Sequence, residues 1–142
     1  KPIELEARAI KNNNPTNVRV EGQAENFDKF DTPEQGIQAA WSDLNNKLDG
    51  KGTITNDLLK KSGIKEPTVG NILLIHSTGK ADTQDNPAGE KYLNDVYDFT
   101  GMPMNLPVKG LSPEYRKLLL EGMMRAESVV FYQRYRNLID KL

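Results

Sequence analysis

The chain contains no cysteine. Disulfides therefore contribute nothing to its stability, and neither a cysteine nucleophile nor a thiolate zinc site is open to it. It has one histidine, His76, too few for a multi-histidine metal site. A Ser-His-Asp arrangement would have to use that residue, and no Gly-x-Ser-x-Gly elbow accompanies it. The alternative is a partly buried histidine that follows an apolar run. Long apolar runs are missing too. The longest, Ile72–Ile75, is a short core segment, far below the roughly 20 residues that span a bilayer, so no membrane span is expected. Residues 1–14 lack the pattern of a signal peptide. Neither sign of charge dominates: 19 Lys and Arg face 20 Asp and Glu, interspersed along the chain. Binding to phosphates needs a basic face, so no nucleic-acid partner is expected. What remains for catalysis is carboxylate chemistry, with no cofactor or metal.

The 142 residues suit one domain. They start at Lys1 rather than Met, and the expectation is a single domain, 1–142, that is part of a larger protein. Ile3, Ala7 and Ile10 recur at helical spacing, so residues 3–11 form a short helix. Asn12-Asn13-Asn14-Pro15 ends it, because Asn disfavours helix interiors and the residue before Pro avoids the α region. Residues 17–30 alternate loosely and contain Gly22, which gives an irregular loop or short hairpin. Asp31-Thr32-Pro33-Glu34-Gln35 is the clearest start signal: Thr32 caps, Pro33 takes the first helical position and Gln35 completes a capping box. Ile37, Ala40, Trp41, Leu44 and Leu48 then share one face up to Asp49-Gly50. Thr55 or Asn56 is expected to cap a shorter helix through Lys61, followed by Gly63. Between Glu66 and Thr83 the run Val69, Ile72, Leu73, Ile75 fits a buried helix or a strand equally well. Residues 80–86 are polar and form a surface loop. Asn86-Pro87 opens a helix with Tyr92, Leu93, Val96 and Phe99 inward and Gly101 at its end. A linker loop, 102–110, leads to Ser112-Pro113-Glu114, which caps a long last helix running to the C-terminus. Five or six helices joined by loops make an all-α or α-dominated domain.

Two stretches carry a family resemblance. Asn12-Asn13-Asn14-Pro15-Thr16-Asn17-Val18-Arg19 resembles the signature Asn-Asn-Pro-Gly-Asn-Ile-Arg, with Thr16 where the family has Gly. Phe30-Asp31-Thr32-Pro33-Glu34-Gln35-Gly36-Ile37-Gln38-Ala39 resembles the Phe-Asp-Thr-Pro-Glu-x-Gly-Ile-Arg-Ala that follows it. Together they resemble a family of lysozyme-like phage structural proteins, over about residues 8–48. Gly52-Thr53-Ile54 and residues 85–101 are weaker continuations, whereas the family's Trp-Ala-Pro segment has no counterpart. The resemblance implies a lysozyme-like helical domain of a phage virion or ejection protein, delivered to the bacterial envelope or periplasm. Its implied partners are peptidoglycan glycan strands and other virion protein domains. The implied chemistry is that of a muramidase or lytic transglycosylase; the alternative is a structural or interaction module without catalysis.

The signature residues admit two readings each. The Asn residues around Pro15 fix a turn through local hydrogen bonds, or Asn14 and Asn17 line a sugar cleft. Glu34 sits in the first turn of a helix, where the dipole favours negative charge, and serves as a cap residue rather than a catalyst. Cleavage of a glycosidic bond needs a protonated carboxyl group beside the leaving oxygen, held where apolar surroundings favour the neutral acid. Lysozyme-like enzymes place it in a helix-end sequence apolar-apolar-x-x-Glu-Ser. Met123-Met124-Arg125-Ala126-Glu127-Ser128 has that form. On a helix, Glu127 falls between Met123 and Met124 on one side and Val130 and Phe131 on the other, whereas Glu114 and Glu121 lie nearer polar faces. Glu127 is thus the candidate acid, with Ser128, Asn14 and Asn17 as candidate substrate contacts. Pairing of Glu127 with Arg134 is the structural alternative. Asp82, Asp85 and Glu90 are candidates for a second carboxylate.

Overall fold

A computed structural model describes residues 2–19 and 27–142. The chain divides into two compact units, one made of residues 1–44 and 120–142, the other of residues 45–119. Helices dominate the described residues, which contain isolated bridges and no strand. The all-α expectation holds.

In the first unit, α1 (Pro2–Asn12) ends at the Asn-rich turn. Asn13 and Asn17 both adopt positive φ there, 50° and 53°, a region Asn tolerates better than most residues. The expected loop or hairpin over 17–30 lies partly outside the described residues. Its described ends pair as an antiparallel bridge between Arg19 and Phe27. α2 (Pro33–Leu48) begins as the sequence indicates, with Thr32 Oγ1 accepting from the Gln35 N–H at 3.2 Å. The Gln35 side chain reaches one residue further back than a standard capping box, to the Asp31 N–H. The two signature segments lie against each other. Phe30 N donates to Asn12 O, and Asn13 Nδ2 donates to Phe30 O. A Cβ at Gly36 would stand 1.6 Å from the Asn13 carbonyl oxygen, so only glycine permits this approach.

The second unit holds α3 (Thr53–Lys61), α4 (Val69–Thr78) and α5 (Pro87–Thr100). α3 is capped three or four residues earlier than expected. Gly52 is its N-cap without a side-chain bond, Thr55 is buried within it, and Asn56 Nδ2 donates to Gly50 O. The ambiguous apolar run is helical. Thr68 and Asn71 form a reciprocal capping box, and the N–H groups of Val69 and Gly70 donate to the carbonyls of Leu106 and Met104. With its first-turn donors satisfied by the 102–110 loop, α4 is buried from Val69 to His76 apart from Asn71. A helix covered on every side has no polar face, which is why its sequence shows no period. α5 packs on α4 and is capped by Asn86, whose Oδ1 accepts from Gly89 N.

The predicted long last helix is broken. α6 (Pro113–Glu127) stops at Ser128, and α7 (Val129–Tyr135) starts anew before a 3-10 segment, Arg136–Lys141. Ser128 is extended at φ −158° and caps α7 by accepting from the Phe131 N–H. Ser, with its short hydroxyl, stabilises a new N-terminus more than a helix interior. α7 packs against α1, and Phe131 is fully buried.

Candidate functional site

The break at Ser128 places Glu127 at the C-terminal end of α6. Of the apolar neighbours expected from helical spacing, Met123, Met124 and Phe131 are buried and Val130 is half-buried. Glu127 itself is 6% exposed, and among residues 7–19 and 27–142 no other Asp or Glu is buried. Removing a carboxylate from water is costly unless hydrogen bonds replace its hydration. Here the first signature supplies one: Asn17 Nδ2 donates to Glu127 Oε1 at 3.2 Å. Asn17 is 4% exposed, and its Oδ1 accepts from Arg8 Nε at 2.9 Å. The Arg8 guanidinium stands 3.7 Å from the centre of the Phe27 ring, with Arg19 on the same ring at 5.3 Å. α1, the Asn turn and the end of α6 thus converge on one polar chain, from half-buried Arg8 through buried Asn17 to buried Glu127, within the unit of residues 1–44 and 120–142.

Asn14 and Ser128 occupy the frame of this site. Both are fully buried. Asn14 Nδ2 donates to the carbonyls of Val18 and Asp28, and its Oδ1 accepts from Val18 N. These three bonds fix the turn that presents Asn17. Ser128 Oγ serves the Phe131 N–H. Both side chains thus bond to backbone, whereas Asn17 contacts the carboxylate directly.

The other candidate carboxylates are exposed. Glu34 is exposed in the first turn of α2. Asp82, Asp85 and Glu90 are exposed in the other unit, and Asp82 Oδ1 accepts from Gln84 N. His76 is 6% exposed, and its Nδ1 lies 2.9 Å from Lys47 Nζ. An ammonium only donates, so Nδ1 accepts and the neutral ring carries its proton on Nε2. Tyr132 Oη donates to Glu121 Oε1 at 2.9 Å. Its phenol is pushed above the usual 10.0, first by burial and then by that carboxylate.

Arg8 is the member of this polar chain that sequence reasoning missed. It lies nine residues before Asn17 on a different element, and no spacing rule links a helix residue to a turn at that distance. Its position at the edge of the recognised signature region was the one available signal. No family model matches the chain, and no curated protein matches it.

Proposed function

We propose that this chain is a lysozyme-like domain of a phage virion protein that binds or cleaves bacterial peptidoglycan, acting in the bacterial envelope. The observation that carries the reading is the buried Glu127 at a helix end, hydrogen-bonded by Asn17 of the first signature. The residue chosen from a helix-end pattern and the residue chosen from an Asn-rich signature are 110 positions apart in sequence. Their contact supports a shared role. In the cleavage reading, Glu127 gives its proton to the glycosidic oxygen as the bond to the anomeric carbon breaks. The electron pair of that bond stays with the departing oxygen. Water or a sugar hydroxyl then attacks the anomeric carbon and returns a proton to Glu127. Asn14 and Ser128 serve this site by fixing the backbone on either side.

The burial of Glu127 and Asn17 favours a second reading, a structural or interaction module of the virion in which the same polar chain only secures the fold. A zymogram on purified cell walls separates the two. Clearing by the wild-type chain, lost in Glu127→Gln with an unchanged circular dichroism spectrum, is the expected result. Co-sedimentation with cell walls without clearing moves the assignment to a binding module. A chain that neither clears nor sediments overturns the proposal.

A further inference from the structure

An amide side chain between two partners can be read only one way when one partner is arginine. Guanidinium has donors and no acceptor. Arg8 Nε at 2.9 Å from Asn17 therefore requires the oxygen of the amide on its side. The nitrogen is then turned to Glu127, 3.2 Å from Oε1. Nδ2 has no lone pair to offer a carboxylic proton, so Oε1 can only accept. When Glu127 is protonated, Oε1 is the carbonyl oxygen and the proton sits on Oε2. Arg8 is held in its turn by the face of Phe27 at 3.7 Å, a contact that fixes guanidinium orientation as well as adding attraction.

We infer that Arg8 is a positioning residue: through the Asn17 amide it sets which oxygen of Glu127 carries the transferable proton. This rests on the proposed role of Glu127 as the acid. Lysine keeps the charge but lacks the planar fork, and methionine keeps an unbranched stem as far as the Nε position while removing every donor. Without that donor the oxygen of the Asn17 amide loses its partner, and the orientation that turns Nδ2 to Oε1 of Glu127 loses its anchor.

The test uses the full chain labelled with 13C and 15N, and reads the Asn17 side-chain amide and the Glu127 carboxyl carbon. Arg8→Met is expected to shift both resonances, and Arg8→Lys to restore them in part. In an Asn17→Ala background, Arg8→Met should move the Glu127 carboxyl resonance much less than it does when Asn17 is present. A carboxyl signal that ignores Arg8→Met, or that moves equally without Asn17, overturns the relay. Should Arg8→Met fail to fold, Arg8→Lys alone decides by the same signals: an unmoved Asn17 amide overturns the relay. With soluble glycan strands as substrate, Arg8→Met should lower kcat on the order of a hundredfold with KM unchanged, and Arg8→Lys should recover part of it. A rise in KM at constant kcat would overturn positioning in favour of substrate binding. A wild-type chain that cleaves nothing yet shows the Asn17-dependent coupling overturns the enzymatic reading and leaves the relay standing.

Discussion

Asn17 carries two demands at once, a backbone at φ +53° and a side chain that links Arg8 to Glu127. The two separate by substitution. Asn17→Gly accepts the backbone and loses the side-chain bonds, which should cost about 1–3 kcal/mol because a buried carboxylate loses a donor. Asn17→Ala loses the same bonds and adds the left-handed strain of a Cβ, about 1 kcal/mol more. Urea denaturation of the pair should therefore rank wild type above Gly and Gly above Ala. Equal stability of Gly and Ala would remove the backbone share. At this scale the sequence was informative about residue types and silent about partners. Asn14, Asn17, Glu127 and Ser128 were all legible as residues of interest. That two of them address backbone and the other two each other depends on how three distant segments meet, which no local pattern encodes.

Helix termini account for most of what was legible and for the main miss. Thr32, Asn86 and Ser112 all cap where their side-chain chemistry indicates. Ser128 has the same chemistry, but the apolar positions continue at helical spacing on both sides of it, with no Gly or Pro to mark the break. Gly36 shows what a motif glycine does inside a helix. Helix propensity alone predicts that Gly36→Ala stabilises by about 1 kcal/mol. The Asn13 carbonyl 1.6 Å from the new Cβ reverses the sign, and a loss of about 3 kcal/mol is expected from the forced separation of the two segments. Thermal denaturation reads the sign directly, and a raised Tm would contradict the close approach. In the other unit, Arg116 of α6 joins the end of α2 through Asn45 Oδ1 and Asp49 Oδ1, both at 2.8 Å. The Arg116 bond holds the Asp49 carboxyl below its usual 3.8. A depressed folded-state value means stability that is present above the usual value and lost as pH falls through the folded one. Asp49→Asn should thus flatten the acid limb of the stability profile below about pH 4. The change should stay under about 1 kcal/mol, because the carboxylate is 41% exposed and solvent screens the pair.

On the scale of the molecule, the division into residues 1–44 with 120–142 and residues 45–119 predicts separable cooperative units. Phe131 is fully buried in the first, and Phe131→Ala should cost about 3–5 kcal/mol there. Hydrogen exchange should then show lost protection in α1 and α7 while α4 and α5 keep theirs; uniform loss would mean one cooperative body. The discontinuous make-up of the first unit has a consequence for biosynthesis. Residue 17 leaves the ribosome 110 residues before its carboxylate partner. At synthesis rates of about 5–20 residues per second, the nascent chain carries Arg8 and Asn17 for several seconds with no Glu127 to receive them. A chain terminated before residue 127 would have the donor half of the site and never the acid. The site is thus withheld until synthesis has passed residue 127, and only chains that reach it can carry the proposed cell-wall chemistry.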